Sequence, residues 1–176
     1  QHKRRPEERR EAIQAACAKV RESLEALRAA GLECHWITGG GTGTFRHELA
    51  SGLYTELQCG SYLFMDADYA RNLDDEGRPS SEFEHALFVY ATVMSRPVPE
   101  RDVVDAGLKA YTMESGPPVV HGMTDVELVR ASDEHGTLKL SDPSRNIRLG
   151  QKLMLIPGHC DPTVNLHDWY VGVRKG

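Results

Sequence analysis

No apolar run in these 176 residues approaches the roughly 20 needed to span a bilayer, so no membrane helix is expected. The basic start, Gln1-His2-Lys3-Arg4-Arg5, lacks the apolar core of a signal peptide. There is no excess of positive charge either. The formal net charge of −5 argues against a nucleic-acid or acidic-membrane partner. The four cysteines, Cys17, Cys34, Cys59 and Cys160, include no CxxC pair, which argues against a zinc knuckle or a disulfide framework and favours a reducing cytoplasm. Internal repeats and low-complexity tracts are missing as well. What remains is 40% hydrophobic and 27% charged, an ordinary globular balance.

Pro6 suits a first helical turn, with Glu7 and Glu8 at the favourable end of the helix dipole. Ile13, Cys17, Val20, Leu24 and Leu27 recur at spacings of three and four. The pattern predicts an amphipathic helix from about Pro6 to Ala30, stopped by Gly31, with Glu7, Glu8, Arg9 and Arg10 on a solvated face. A strand over Leu32–Ile37 and the turn Thr38–Thr44 follow. Beyond them the strand-like runs are Tyr54–Gln58, Ser61–Met65, His85–Met94, Val126–Ala131, Thr137–Leu140, Leu153–Ile156 and Trp169–Val173. Asp133-Glu134-His135-Gly136 reads as a hairpin turn, and residues 74–81 as a loop or linker. The expected organisation is a βα segment over residues 1–70 and a β-rich domain over 71–176.

Two motifs carry chemistry. In Thr38-Gly39-Gly40-Gly41-Thr42-Gly43-Thr44, glycines after a strand let successive amides face one anion, and the threonine hydroxyls add donors. No Gly-Lys-Ser/Thr follows, so the loop is not a P-loop; a plain flexible turn is the alternative. In Pro157-Gly158-His159-Cys160-Asp161-Pro162-Thr163, an extended backbone would set His159 and Asp161 on one face and Cys160 on the other. Imidazole with carboxylate suits Mn²⁺, Mg²⁺, Co²⁺ or Zn²⁺, and two ligands leave room for water or substrate. Incidental His-x-Asp triplets are the competing explanation. His135 is expected to be solvated. Tyr54, Tyr62 and Tyr69 are expected to be core residues with wet hydroxyls or cofactor contacts, and Asp105 a half-buried strand residue bonded to a turn.

Together and in this order, these segments resemble the D-threonine aldolase and D-serine dehydratase group of pyridoxal-phosphate enzymes. The resemblance runs through Arg9–Ile13, Thr38–Phe45, Tyr54–Gln58, Gly60-Ser61-Tyr62, Phe64-Met65-Asp66, Ser95-Arg96-Pro97, Val104–Lys109, Glu134-His135-Gly136 and Ile156–Asn165. It implies the last portion of an alanine racemase-like β/α barrel followed by a β-rich C-terminal domain. It also implies that Thr38, Gly41, Thr42, Gly43 and Thr44 bind the phosphate of pyridoxal 5'-phosphate. His159 and Asp161 become the ligands of a divalent ion through which they act in catalysis. An aspartate at 161, where the dehydratase branch has a cysteine, favours the aldolase branch with Mn²⁺ or Mg²⁺ over Co²⁺ or Zn²⁺. The implied reaction cleaves D-threonine or a related D-β-hydroxy-α-amino acid to glycine and an aldehyde. Dehydration of D-serine and cleavage of 3-hydroxy-D-aspartate are the alternatives, and a homodimer is implied. The family's cofactor lysine follows its first barrel strand. Lys3, Lys19, Lys109, Lys139, Lys152 and Lys175 all stand in other contexts. Together with the start at Gln1 rather than methionine, this leads to the expectation that the chain is a C-terminal part, inactive without an N-terminal barrel segment. A non-catalytic phosphate-binding module is the reading from another class.

Overall fold

The structure is a computed structural model that describes residues 2–174, so Lys175 lies outside the described residues. Two compact units are present. The first runs up to Met65 and includes Tyr69–Glu84; the second takes Asp66–Asp68 and the chain from His85 onward. Position 70 therefore falls within the first unit.

In the first unit, helix α1 covers Pro6–Ala29, with Pro6 at its start, Glu7 and Glu8 in the first turn and Arg28 in the last. Of the five apolar stripe positions, Cys17 and Leu24 are buried while Leu27 is exposed. Arg9 departs from the solvated face expected for it. Its guanidinium is buried, donating to the carbonyls of Lys3 and Arg4 at 2.8 Å and of Leu73 at 2.7 Å. Burial lowers its pKa against the pull of Asp75 and Glu7. These bonds, with Leu73 donating its amide to the Arg4 carbonyl, hold the 71–75 segment to the start of α1.

Strand pairing begins later than the sequence suggests. Leu32–Ile37 is not a strand; β1 is Thr38–Gly39, parallel to β2, Glu56–Leu57. The Ile37 amide is bonded instead to Thr55 Oγ1, 2.8 Å away. Helix α2, Phe45–Ala50, separates the two strands. Ser61–Met65, expected to be a strand, forms a 3-10 turn over Ser61–Leu63, with amides 63, 64 and 65 bonding back to carbonyls 60 and 61. Met65 then adopts a φ of 51°, which a side-chain-bearing residue rarely takes. The short helix α3 is Ala67–Ala70.

The second unit is a closed six-stranded barrel. Its strands are β3 (Val89–Val98), β4 (Arg101–Val104), β5 (Val119–Val120), β6 (Val126–Ala131), β7 (Gly136–Leu140) and β8 (Lys152–Ile156), in the order β3-β4-β7-β6-β5-β8. All neighbouring pairs are antiparallel. Alternation along β6 and β7 sends Val126, Leu128, Leu138 and Leu140 inward, where they meet Ala91, Val93, Val104, Tyr111, Ile147 and Leu155. Burial in this core pushes the Tyr111 phenol up to about 12. Closure leaves no free edge. Arg96 of β3 reaches the fully buried Asp102 of the neighbouring β4 at 2.7 Å and the carbonyl of Ile147. Helix α4, Cys160–Val164, follows β8. Trp169–Val173, expected to be a strand, forms none among the described residues and is exposed. Among the described residues no helix is long and apolar enough to cross a membrane.

Candidate functional site

The glycine-threonine loop lies in the first unit between β1 and α2. Gly40, at a φ of 79°, turns the chain past Glu48, whose side chain would stand 3.1 Å from any Cβ placed there. The Gly41 carbonyl then accepts the amides of Thr44 (3.1 Å) and Phe45 (3.0 Å), closing a tight turn. The two buried threonines have different duties. Thr42 Oγ1 accepts the Tyr62 amide at 3.1 Å, which leaves its own hydroxyl proton to donate elsewhere. Thr44 Oγ1 lies 2.7 Å from Oε1 of the buried Glu48 and serves that carboxylate. Among the described residues the amides of Thr42 and Gly43 carry no hydrogen bond.

Thr42, Gly43 and Thr44 line a cavity of about 200 Å³ together with Arg9, Arg46 and His47. Arg46 is also paired with Glu82. The His47 imidazole is held below its ordinary pKa, first by burial and then by the charges of Arg10 and Arg9. Free amides, a free hydroxyl and nearby guanidinium groups fit the phosphate of pyridoxal 5'-phosphate. Thr38 is not part of this wall; it is exposed on β1 and lines a separate groove with Lys19 and Trp36. Tyr69 is buried in the cavity wall, stacked on His2, whereas Tyr62 is partly exposed against Phe83. Arg9 and His47 were hidden in the sequence, because a helix-face arginine and a lone histidine give no pattern.

The His-Cys-Asp motif lies in the second unit. Its backbone is not extended throughout. His159 is extended, with φ −136° and ψ 126°, but the chain turns helical at Cys160, so Asp161 sits in the first turn of α4. The side chains meet nonetheless, with His159 Nε2 3.6 Å from Asp161 Oδ2. Cys160 is fully buried, yet its Sγ approaches Asp161 Oδ1 at 3.2 Å. The segment is held on two sides. Asp66, itself fully buried, accepts the Cys160 amide at 2.9 Å, and the amides of Ala67 and Asp68 donate to the carbonyls of Pro157 and Gly158. Opposite, a Cβ on Gly158 would lie 2.0 Å from the Gly116 carbonyl, so only glycine allows these two backbones to approach.

His159 Nδ1 lies 2.5 Å from Glu114 Oε1. Burial alone would lower the imidazole pKa, but Glu114, Asp66 and Asp161 together raise it. An imidazole nitrogen and a carboxylate oxygen on one ion, with bonds of about 2.1 Å, can stand at most about 4.2 Å apart. The observed 3.6 Å fits a shared cation. Among the described residues no group of three or more His, Cys, Asp and Glu side chains forms a metal cage, so these two would leave most coordination positions to water or substrate.

His135 is exposed in the β6–β7 turn, as expected. Asp105 is exposed rather than half-buried and bonds a strand rather than a turn: it accepts the Thr92 amide at 2.6 Å. Burial works against its charge, but the Thr92 hydrogen bonds and the Lys152 ammonium outweigh it and hold the carboxyl below its usual range.

Residues 86–173, half of the chain, match the family described as "Putative serine dehydratase domain". The 3-hydroxy-D-aspartate aldolase of Paracoccus denitrificans (strain Pd 1222) is 51% identical over 178 residues, covering 100% of this chain and 46% of the relative. The crystal structure of D-threonine aldolase from Filomicrobium marinum superposes with a TM-score of 0.92 at 46% identity, over 99% of this chain and 47% of that one. An alanine racemase-like protein from Idiomarina loihiensis shares the fold, with a TM-score of 0.70 at 22% identity over 86% of this chain and 44% of that one. The chain thus spans about half the length of the proteins it matches. The fold class is the one these proteins share, an alanine racemase-like arrangement ending in a β-rich domain.

Proposed function

The chain belongs to the D-threonine aldolase and D-serine dehydratase-like family of pyridoxal-phosphate enzymes, and from that premise we propose that the complete enzyme cleaves D-β-hydroxy-α-amino acids to glycine and an aldehyde. The observation that carries the reading is the 3.6 Å approach of His159 Nε2 to Asp161 Oδ2 on a clamped segment. D-Threonine and 3-hydroxy-D-aspartate both belong to the proposed substrate class, because the chain matches aldolases named for each at 46% and 51% identity. When bound, pyridoxal phosphate supplies the electron sink for Cα–Cβ cleavage and a divalent ion acidifies the substrate β-hydroxyl.

This chain's own residues bind and orient. The Thr42 hydroxyl and the amides of Thr42 and Gly43 hold the cofactor phosphate, while Thr44, bonded to Glu48, keeps the loop in shape. Gly41 closes the turn that aims those amides. His159 and Asp161 hold the ion, and the hard carboxylate oxygen of Asp161 favours Mn²⁺ or Mg²⁺. We place the cofactor lysine outside these residues, in the half of the relatives that the chain does not span. The isolated chain is therefore inactive, and the β-rich second unit contributes the metal ligands. Assembly as a homodimer is part of the same reading.

In the complete enzyme, His159→Ala or Asp161→Ala abolishes metal-dependent cleavage and leaves the cofactor absorbance in place, since the phosphate loop is separate in the sequence. Cys160→Ser keeps a donor toward Asp161 Oδ1 and retains most activity. A fully active, chelator-sensitive Asp161→Ala enzyme would put the ion elsewhere and end the reading.

A further inference from the structure

Glu114 belongs to neither motif. It sits 45 residues before His159, in the loop whose Gly116 carbonyl packs on Gly158. We propose that Glu114 is a positioning residue: it accepts the Nδ1 proton of His159 and so fixes the imidazole tautomer and ring plane that present Nε2 to a cation shared with Asp161. The proposal rests on the metal reading above and deepens it.

The two contacts of the ring differ in kind. Nδ1 to Glu114 Oε1 is 2.5 Å, a short hydrogen bond, whereas Nε2 to Asp161 Oδ2 is 3.6 Å, too long for one. An ionised carboxylate only accepts, so the proton of the short contact belongs to Nδ1. A neutral ring protonated there carries its lone pair on Nε2, facing the Asp161 oxygen.

The alternative tautomer, which a free histidine side chain prefers in water, would put a proton between Nε2 and Asp161. The pair would then close on itself as an ordinary hydrogen bond and offer no nitrogen to an ion. Glu114 decides between these two states. Its side chain is half exposed, while the ring it holds is mostly covered.

The backbone fixes the distance over which this works. Gly116 bonds its amide to the Met113 carbonyl at 3.1 Å, closing the turn that carries Glu114. The glycine-only contact packs that turn against Gly158, the residue before His159. On the far side, Asp66 pins the amide next to His159. With the backbone held on both sides, Glu114 fixes the ring itself. Ligating histidines commonly give their second N–H to a carboxylate, and loss of that partner costs about 10- to 100-fold in metal affinity.

The test uses the intact protein with Glu114→Ala, Glu114→Gln and His159→Ala. Two quantities are measured: Mn²⁺ affinity, from the magnetic-resonance signal of the free ion, and the ¹H–¹⁵N ring correlations of His159 in metal-free protein with imidazole neutral. Wild type should show the Nδ1–H tautomer. Glu114→Ala should shift it toward Nε2–H and weaken Mn²⁺ binding about 10- to 100-fold. Glu114→Gln keeps an acceptor oxygen and should preserve the tautomer with a smaller loss of affinity, a rescue that a merely structural role would not give. If His159→Ala loses Mn²⁺ binding while Glu114→Ala keeps wild-type affinity, the role of Glu114 is overturned and the metal reading stands. If His159→Ala itself keeps wild-type affinity, the metal reading falls, and an unchanged ring spectrum in Glu114→Ala overturns the positioning role as well.

Discussion

Thr42 and Thr44 are two residues apart, of one type and both buried, yet the structure gives them opposite duties. Thr44 spends its hydroxyl on Glu48, and Thr42 accepts from Tyr62 and keeps a proton to give. A hydrogen bond to a charged group contributes about 1.5–3 kcal/mol. In the complete enzyme Thr42→Val should therefore weaken retention of pyridoxal phosphate by about 10- to 100-fold, with Thr42→Ser recovering most of it. Equilibrium dialysis checks this, and equal retention in Thr42→Val and wild type would remove that hydroxyl from the phosphate site. The sequence marked the loop as a candidate anion cradle but gave no sign of this division of labour. Which threonine is free depends on Tyr62 and Glu48, and neither contact follows a spacing rule. The same holds at the other motif. His159 and Asp161 stand out in the sequence as candidates, but alternation along an extended strand does not bring them together, because α4 starts at Cys160. Glu114 and Asp66 gave no local signal at all, being 45 and 94 residues from their partners.

Elements were legible where burial is one-sided. β6 and β7 alternate strictly enough to be read to within one residue, and so does the turn between them. Ser61–Met65 is aromatic and apolar and Trp169–Val173 aromatic and β-branched, yet neither is a strand among the described residues, because composition alone cannot supply a partner strand. Asp105 follows the last residue of β4 and shows how an exposed side chain still ties two strands together, exchanging bonds with Thr92 of β3. Its folded carboxyl is held below the ordinary value. Such a group stabilises the fold fully above its unfolded pKa, and that stabilisation is lost as the pH falls through the lower folded value. Asp105→Asn should accordingly be less stable than wild type at neutral pH, with the gap closing in acid below the usual carboxylate range. Denaturant midpoints measured across that range check the sign. A gap that widens on acidification would mean that the Thr92 and Lys152 contacts do not favour the charged form.

At the scale of the whole molecule the two units differ in how completely each satisfies its own backbone. The second unit closes its sheet, pairing every strand on both sides around a core of Val, Leu, Ile and Tyr. The first has a parallel pair of two residues each, and Trp36, Leu32 and Leu49 are exposed at 73%, 57% and 66%. Parallel strands persist where both faces are covered, and a two-stranded sheet is marginal in water. A helix as long as α1, with only Cys17, Leu24 and Arg9 buried, draws little stability from packing. In the relatives, about half of the chain lies outside the matched region, enough to supply the missing cover. Hydrogen exchange on the isolated 176-residue chain should then divide at the units. Amides of β3, β4, β6, β7 and β8 should exchange slowly, near the limit set by global unfolding, and those of α1, β1 and β2 orders of magnitude faster. Chelator should leave the pattern of the second unit's strands intact, because their ladders do not depend on an ion. Protection in α1 and β1 equal to that of the barrel would show that the first unit is self-sufficient. It would also remove the physical ground for seeking the rest of the active site on sequence beyond these residues.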